Sequence, residues 1–374
     1  MIRFLDLKAI NSLPGLNLGD VVKDVVQSGW YLKGSYTQRF EQAYAEYIGT
    51  RHCVGCGNGL DALTLILRAY KEMGRLHAGD EVIVPANTYI ATILSITENG
   101  LIPVLVEPDI NTLQIDDRLI EDAVTPRTRA IMIVHLYGRC AYTEEIGRIV
   151  TRHNLLLIED NAQAHGCTFK TRRTGSLGHA AAHSFYPTKN LGALGDAGAV
   201  TTNDPELAAV VAALGNYGSD RRYHFSYEGR NSRIDELQAA VLLAKLPFLD
   251  QWNQRRCDIA RYYAQNIRHP QITIVNRKSS NRKSDSVYHL FPVLSPLRDQ
   301  LKAHLLRAGI ETDIHYPVPP HRQPCYQRLG KGILLPITER IHRQILSLPC
   351  NPALLDRQVA AVVEAVNTFV PHPS

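Results

Sequence analysis

The sequence predicts an α/β protein in which a mostly parallel sheet lies between helices. Short apolar runs alternate with helical patterns, and a glycine-rich loop opens one of the helices. The predicted strands are Glu81–Pro85, Ile102–Val106, Ala130–His135 and Leu155–Ile158. Because these runs are apolar along nearly their whole length, they are typical of parallel strands covered on both faces. Ligands of such sheets bind beyond the carboxyl ends of the strands, so we expect the functional site there.

The chain of 374 residues is long enough for two domains of about 150 residues or more each. An N-terminal arm precedes an amphipathic stretch from Thr37 to Tyr47. A helical segment, Ser232–Leu246, is followed by a change in composition near Phe248–Arg256. We therefore expect an arm and a large ligand-binding domain over residues 1–248, and a smaller C-terminal α+β domain over residues 249–374.

The composition indicates a globular protein that acts on small molecules, since 45% of the residues are hydrophobic, 21% are charged and the net charge is +5. This mild positive charge, without a long basic helix, argues against nucleic acid as a partner. No apolar run approaches the ~18 residues of a membrane span and the N-terminus has no apolar signal segment, so no membrane partner is expected. Seven scattered cysteines predict free thiols and a cytoplasmic location.

Several conspicuous polar patterns are interpreted as structural. The basic cluster of Arg277, Lys278, Arg282 and Lys283 is typical of a solvated loop. The pair Cys53 and Cys56 has C-x-x-C spacing but no second pair of ligands nearby. His179 and His183 lead into a strand, where their side chains would diverge, so we expect no metal site. His165 is either a core histidine or a residue that lines the site.

A tight glycine loop, Cys53–Gly59, opens a predicted helix. Either Asn58 or Gly59 is the predicted N-cap, and Asp61 lies in the first turn, where a carboxylate interacts favourably with the helix dipole. Free backbone N–H groups at such a helix end can bind a phosphate, and glycine lets the phosphate approach closely. The spacing is neither that of a P-loop nor that of a dinucleotide-binding loop.

Lys189 is the strongest candidate for chemistry. It follows the short run Ser184–Thr188 and leads into a glycine-rich turn, Gly192–Gly198, so it lies near the end of a buried strand. A desolvated lysine loses its charge more easily and becomes a nucleophile for a carbonyl carbon, including the aldehyde of pyridoxal phosphate (PLP). The alternative is a surface lysine on a hairpin.

Other polar residues in the predicted crevice complement that amine. A carboxylate at the end of a buried strand, Asp160, needs a cation, and the protonated ring nitrogen of PLP is one. Ser184 could donate its hydroxyl to the phosphate, Tyr89 could stack on the ring, and Gln163 could bind the ring hydroxyl. The alternatives are a helix-capping aspartate, a turn serine and a core tyrosine.

The sequence resembles the DegT/DnrJ/StrS-type sugar aminotransferases, which are PLP enzymes with the aspartate-aminotransferase-like fold. The segments that carry the resemblance are Gly55–Leu63, Pro85–Thr92, Glu159–Ala164, Ser184–Lys189, Gly229–Ala240 and His315–Pro317. The resemblance implies that Lys189 binds PLP covalently and that Asp160 pairs with its ring nitrogen. It further implies Gln163 as a ring contact and phosphate ligands at Asn58, Gly59 and Ser184. Asn231 is implied to reach the phosphate of the neighbouring subunit, which makes a homodimer obligatory.

Within that family, residues 185–198 are most similar to enzymes that aminate C3 of a dTDP-linked 3-keto-6-deoxyhexose, and Phe4–Leu7 agrees. L-Glutamate is the implied amino donor, and the pyridoxamine form of the cofactor is the implied carrier. Members that act on 4-keto sugars usually have a histidine-containing segment before the lysine. Two further alternatives are a PLP-dependent sugar dehydratase, which has histidine in place of Lys189, and a non-catalytic regulatory member of the same fold.

A nucleotide diphosphate would need cations at the rim of the site. The candidates are Lys33, Arg221, Arg222 and Arg230, and the alternative is that they only solvate a loop. Tyr316 is the predicted side chain that closes over the sugar. Tyr186 and Tyr217 are further candidates for substrate contacts.

Overall fold

A computed structural model describes residues 1–275 and 285–371. The basic cluster of Arg277, Lys278, Arg282 and Lys283 lies outside the described residues. The helices are α1 Leu7–Asn11, α2 Leu18–Ser28, α3 Ser35–Ile48, α4 Gly59–Glu72, α5 Ile90–Glu98, α6 Glu144–Arg152, α7 Pro205–Leu214, α8 Glu236–Lys245, α9 Leu249–Asn266, α10 Arg298–Arg307, α11 Pro336–Gln344 and α12 Asp356–Asn367. The strands are β1 His52–Cys56, β2 Glu81–Pro85, β3 Ile102–Val106, β4 Thr128–Val134, β5 Leu156–Asp160, β6 Thr168–Phe169, β7 Arg172–Arg173, β8 Ala180–Ser184, β9 Gly198–Thr202, β10 Ser219–Arg221, β11 His224–Phe225, β12 Thr273–Ile274, β13 Phe291–Leu294 and β14 Ile345–Leu348.

A seven-stranded sheet with the order β1-β9-β8-β5-β4-β2-β3 forms the centre of the molecule. The strands from β8 to β3 pair in parallel, whereas β9 is antiparallel to both β8 and β1. The predicted α/β class with a mostly parallel sheet is therefore confirmed. A second, antiparallel sheet joins β12, β13 and β14.

Alternate side chains of the central strands point to opposite faces of the sheet. Val82 and Val84 pack in the core beneath α4, α5 and α7. Ile83, between them, packs with Ile131 and Ile133 in a second core against α6. Helices thus cover both faces, which explains why the strands are apolar throughout.

All four predicted strands are present, but the bounds of two differ: Ala130–His135 is observed as Thr128–Val134, and Leu155–Ile158 as Leu156–Asp160. The last predicted strand, Leu155–Ile158, extends to Asp160 as β5. Two acidic residues can end a buried strand because Glu159 accepts hydrogen bonds from the N–H groups of Gly175, Leu177 and Gly178, each at 2.7 Å. Buried carboxylates are tolerated when they are bonded in this way.

The C-terminal residues form a core of their own. Side chains of α9, β13, α10 and α12 cluster there, among them Tyr263, Phe291, Leu301 and Val362. The N-terminal arm contacts this part as well, since the N–H of Ile2 donates to the carbonyl of Gly309 at 2.7 Å. Across residues 1–275 and 285–371, no helix is both long and apolar enough to cross a membrane.

Candidate active site

A cavity of about 450 Å³ opens at the carboxyl ends of β4, β5 and β8, where the start of α4 meets the sheet. It gathers these sequence-predicted residues: Asn58, Gly59, Tyr89, Asp160, Gln163, Ser184, Tyr186, Lys189 and Tyr316. The parallel strands end along one edge, so residues far apart in sequence converge there.

The start of α4 provides an anion-binding end inside this cavity. Asn58 is the N-cap, and its Oδ1 accepts the N–H of Asp61 at 2.8 Å. The N–H groups of Gly59 and Leu60 precede the first bond within the helix, so they are free to face a ligand. A Cβ at Gly59 would lie 2.5 Å from Cβ of Ser184. Only glycine therefore lets the helix end approach the serine closely.

Asp160, the last residue of β5, presents a buried carboxylate to the cavity. Its Oδ2 accepts the hydroxyl of Thr92 at 2.9 Å, and its Oδ1 accepts the N–H of Ala162 at 3.2 Å. Thr92 is in turn 2.8 Å from the hydroxyl of Thr88. Burial raises the pKa of Asp160, while Thr92, Ala162 and Lys189 oppose the rise. The carboxylate would therefore gain from a cation placed against it.

Lys189 lies in the loop between β8 and β9, five positions after Ser184. Its N–H donates to the carbonyl of Tyr186 at 2.8 Å, which forms a turn. Burial lowers the pKa of Lys189 to about 8, and the charge of Asp160 partly opposes this change. A neutral amine is thus available near physiological pH, as covalent and proton-transfer chemistry require.

Gln163 links the sheet to the C-terminal part of the chain. Its Oε1 accepts the N–H of Tyr137 at 2.6 Å, and its Nε2 donates to the hydroxyl of Tyr316 at 2.9 Å. The ring of Tyr316 lies 5.0 Å from that of Tyr89. A second hydrogen bond, from the hydroxyl of Tyr137 to the carbonyl of His315 at 2.8 Å, holds the residue next to Tyr316. Tyr316 therefore forms one wall of the cavity.

The remaining predicted residues lie outside this chain's cavity: Lys33, Tyr217, Arg221, Arg222, Arg230 and Asn231. Arg221 ends strand β10 of an exposed hairpin, and Arg222 places its guanidinium 5.0 Å from the ring centre of Tyr223. Arg230 is 3.2 Å from the carboxylate of Asp61 and 3.1 Å from that of Glu98.

Asn231 is exposed and forms a backbone bridge with Asn216. The next residue, Ser232, donates its hydroxyl to Asp61 at 2.7 Å and accepts the N–H of Gly57 at 3.0 Å. These bonds fasten the loop to the start of α4. Asn231 is thereby held at the protein surface next to this anchor.

The structure adds residues that the sequence did not single out. Thr92, whose hydroxyl donates to Asp160, lies within Pro85–Thr92, one of the segments that carry the family resemblance. The sequence therefore includes Thr92 in a matched segment but does not predict its contact with Asp160. Thr188, Asp196, His289 and His315 also line the cavity. The two histidines come from the C-terminal part, and no local pattern connects them to Lys189.

The other histidines near the site are structural. His165 is fully buried and stacks on Phe185 with the ring centres 5.3 Å apart, which matches the core alternative. His183 lies between the hydroxyls of Tyr44 at 2.9 Å and Thr201 at 2.8 Å. His179 accepts the N–H of Leu157. The described residues contain no group of three or more potential ligands placed to hold a metal.

Sequence comparison places the chain in a class of enzymes, the sugar aminotransferases. The model of the DegT/DnrJ/EryC1/StrS aminotransferase family matches residues 17–367. The protein belongs to this family.

Two relatives and one solved structure illustrate the similarity. The chain is 50% identical over 372 residues to the dTDP-3-amino-3,6-dideoxy-alpha-D-galactopyranose transaminase of Aneurinibacillus thermoaerophilus, with 99% of each chain covered. It is 44% identical to the dTDP-3-amino-3,4,6-trideoxy-alpha-D-glucose transaminase of Streptomyces venezuelae, over 98% of this chain and 96% of the relative. The crystal structure of S. venezuelae DesV in complex with a ketimine intermediate matches with a TM-score of 0.93 at 43% identity, covering 100% of this chain and 99% of the other.

Proposed function

We propose that this enzyme uses PLP to transfer an amino group from L-glutamate to C3 of a dTDP-linked 3-keto-6-deoxyhexose. The observation that carries the proposal is the single cavity that gathers the amine of Lys189, the carboxylate of Asp160 and the free N-terminal end of α4. Amine, carboxylate and phosphate site are the three contacts that PLP needs.

The residues of the cavity fit the cofactor group by group. The N–H groups of Gly59 and Leu60 and the hydroxyl of Ser184 would hold its phosphate. Asp160 would pair with the ring nitrogen, Gln163 with the ring hydroxyl, and Tyr89 would pack on the ring face. PLP, when bound, supplies an electron sink for the bond broken at the donor carbon.

The protein's own contribution is proton transfer and exclusion of water. Lys189, with its pKa lowered to about 8, would take the proton from the α-carbon of the donor as general base and, as general acid, deliver it to the cofactor carbon that bears the amino group. Thr92 and Ala162 keep the carboxylate of Asp160 in a fixed orientation. Tyr316 covers the cavity from the C-terminal part and would close over the sugar.

The substrates carry more negative charge than the cations in this cavity can balance. Among the described residues that line it, Lys189 is the only lysine or arginine. Burial lowers the pKa of His289 well below its usual range and that of His315 to about 4, so both are neutral. A nucleotide diphosphate and the two carboxylates of glutamate must therefore meet cations from elsewhere.

This shortage of charge supports a homodimer with shared sites. Arg221, Arg222, Arg230 and Lys33 are the proposed cations for the neighbouring subunit's substrate, with Tyr217 beside them, and Asn231 is the proposed ligand of that subunit's phosphate. We further propose the division into residues 1–248 and 249–374. A cytoplasmic location is proposed because all seven cysteines are free.

The direct test is an assay with enzymatically made dTDP-3-keto-6-deoxygalactose and dTDP-3-keto-6-deoxyglucose, each with L-glutamate. We expect a 3-amino sugar and 2-oxoglutarate, with the galacto sugar preferred, because the relative at 50% identity is named for it. Lys189→Ala is the matched inactive control and should lose about 10²- to 10⁴-fold of the rate. Turnover of a 4-keto sugar alone would favour the 4-aminotransferase alternative. Absence of turnover with every keto sugar, in protein that binds PLP, would favour a regulatory member.

A further inference from the structure

A buried lysine that the proposed mechanism does not use, Lys245, lies against the loop that carries Lys189. It is the last residue of helix α8 and is 3% exposed. Its Nζ donates a hydrogen bond to the carbonyl of Gly192 at 2.7 Å. Burial lowers the pKa of Lys245 to about 8, and no carboxylate among the described residues opposes that change. A buried ammonium without an ion-pair partner is costly to the fold, so packing alone does not account for a lysine here.

Residues 185–193, here called the lysine loop, close tightly on themselves. The N–H of Ala193 donates to the carbonyl of Phe185 at 2.8 Å and thereby joins the two ends of the loop. A Cβ at Gly192 would lie 2.3 Å from the carbonyl oxygen of Pro187, so only glycine permits this closure. Gly192 therefore lies at the base of the loop, directly next to the bond that closes it.

The contact with Lys245 acts on the hydrogen bond that closes the lysine loop. The carbonyl of Gly192 and the N–H of Ala193 belong to the same peptide group. A charged donor at the carbonyl polarises this group and strengthens the hydrogen bond that its N–H makes. Lys245 thus attaches the lysine loop to helix α8 and also stabilises its closure.

A second residue of α8 holds the chain just beyond the lysine loop and offers a comparison. Oε1 of Gln238 accepts the N–H of Leu194 at 2.8 Å. Gln238 is buried as well, but its bond is uncharged and involves neither group of the closing peptide. The same helix therefore contacts this segment twice, and only the contact of Lys245 reaches the base of the loop.

We propose that Lys245 is a positioning residue for Lys189, and that its bond to Gly192 fixes where the lysine loop presents the Lys189 amine. The inference rests on the proposed role of Lys189 in proton transfer. Such a transfer depends on the placement of the base, since a displacement of about 1 Å can slow a reaction about 100-fold. Lys245 acts through the main chain and need not touch the cofactor or a substrate.

The test compares Lys245→Met with Gln238→Met, because each variant keeps an unbranched side chain and loses one hydrogen bond from α8. The first measurement is amide hydrogen exchange in the full-length cofactor-free protein, read by mass spectrometry of overlapping peptides that cover residues 185–194. The second is the rate of the glutamate half-reaction in PLP-loaded protein. If Lys245→Met fails to fold, Lys245→Gln, which keeps a shorter donor, takes its place.

In Lys245→Met we expect the N–H of Ala193 to exchange about 10- to 100-fold faster, because the charged hydrogen bond that supports its own is lost. The glutamate half-reaction should slow by about 10- to 100-fold with little change in the KM for glutamate. Gln238→Met loses an uncharged bond and should lower the melting temperature by a few degrees. It should leave the exchange of Ala193 and the half-reaction close to their native values.

Two results would overturn the proposal. Unchanged exchange of Ala193 in a folded Lys245→Met variant would show that Lys245 does not hold the loop. Faster exchange, with a half-reaction no slower than that of Gln238→Met, would make the bond structural only. The exchange measurement needs neither cofactor nor turnover. A native protein that is inactive with glutamate would therefore refute the proposed function, while exchange would still decide whether Lys245 holds the lysine loop.

Discussion

The catalytic cavity and the loop of residues 216–233, here called the outer loop, are built in opposite ways. In the cavity, polar side chains follow the ends of buried strands, and backbone groups or hydroxyls hold those of Asp160 and Gln163. In the outer loop, the side chains that could meet a substrate stand in solvent, as Tyr217, Arg221 and Arg222 do. The side chains proposed to do the chemistry are thus positioned by contacts within one chain. Under the proposed function, recognition of the anionic part of the substrate would fall to this exposed surface.

The outer loop of the single chain also exposes large aromatic side chains to solvent. Tyr223 is 80% exposed and Phe225 60% exposed, on the same hairpin. Contiguous exposed aromatic residues of this kind mark contact surfaces. The comparison therefore favours a second copy of the chain as the group that covers the loop and uses its cations.

The largest effect should come from the cavity, with Asp160→Asn. The substitution keeps the shape of the side chain and removes the charge that would pair with the ring nitrogen. An opposite charge at contact distance is worth about 1 to 3 pKa units, so we expect the glutamate half-reaction to slow by about 10- to 10³-fold. Stopped-flow absorbance of PLP-loaded protein measures that rate.

Thr92→Val is the matched control for this prediction. It removes one hydrogen bond to Asp160 but leaves its charge, so a loss of about tenfold or less is expected. If Asp160→Asn were no slower than Thr92→Val, the carboxylate would not be the partner of the ring nitrogen. In that case the cavity would differ from the outer loop only in being buried, and not in holding a charge that pairs with the cofactor.

The sequence predicted most of the cavity because its residues follow apolar strands or open a helix. Asp160 and the Asn58–Gly59 helix end are both visible from such local signals. His289 was not predicted, because it reaches the cavity only through packing of the C-terminal part on the sheet, and His315 was noted only as part of the segment His315–Pro317. The function of the outer loop rests on the family resemblance, since exposed arginines carry no periodic signal of their own.

The link between the two regions can be tested through Asn231. Loss of a hydrogen bond to a phosphate should weaken cofactor binding about 10- to 100-fold in Asn231→Ala. Co-expression of this variant with Lys189→Ala, under two affinity tags, should give heterodimers in which one of the two sites has both native residues. At random pairing, about a quarter of the native activity should return. Mixtures no more active than the parents would place Asn231 in the site of its own chain.

Arg221→Ala and Arg222→Ala test the outer loop alone. Each is expected to raise the KM for the sugar nucleotide by about tenfold, because a charged hydrogen bond to the diphosphate is lost. The glutamate half-reaction should be unchanged, since both side chains are proposed to bind the diphosphate, which glutamate lacks. Lys302→Ala, on helix α10, is a charge-matched control. An equal rise in that variant would indicate general electrostatic attraction rather than a specific contact.

The smallest effect concerns Arg230, the residue of the outer loop that pairs with the first turn of α4. It was predicted to bind the diphosphate, yet Asp61 and Glu98 already pair with its guanidinium in the same chain. Its side chain is 40% exposed, so we expect the two pairs together to contribute only about 0.5 kcal/mol to the free energy of unfolding. If those pairs persist in the complex, Arg230→Met should lower stability by that amount in urea unfolding and change KM less than Arg221→Ala does. Glu98→Gln weakens the same pairing without touching a substrate, so the two variants should lose similar stability. A rise in KM for Arg230→Met as large as for Arg221→Ala, with Glu98→Gln unaffected, would instead assign Arg230 to the substrate. The substrate-binding part of the outer loop would then include Arg230 as well as Arg221.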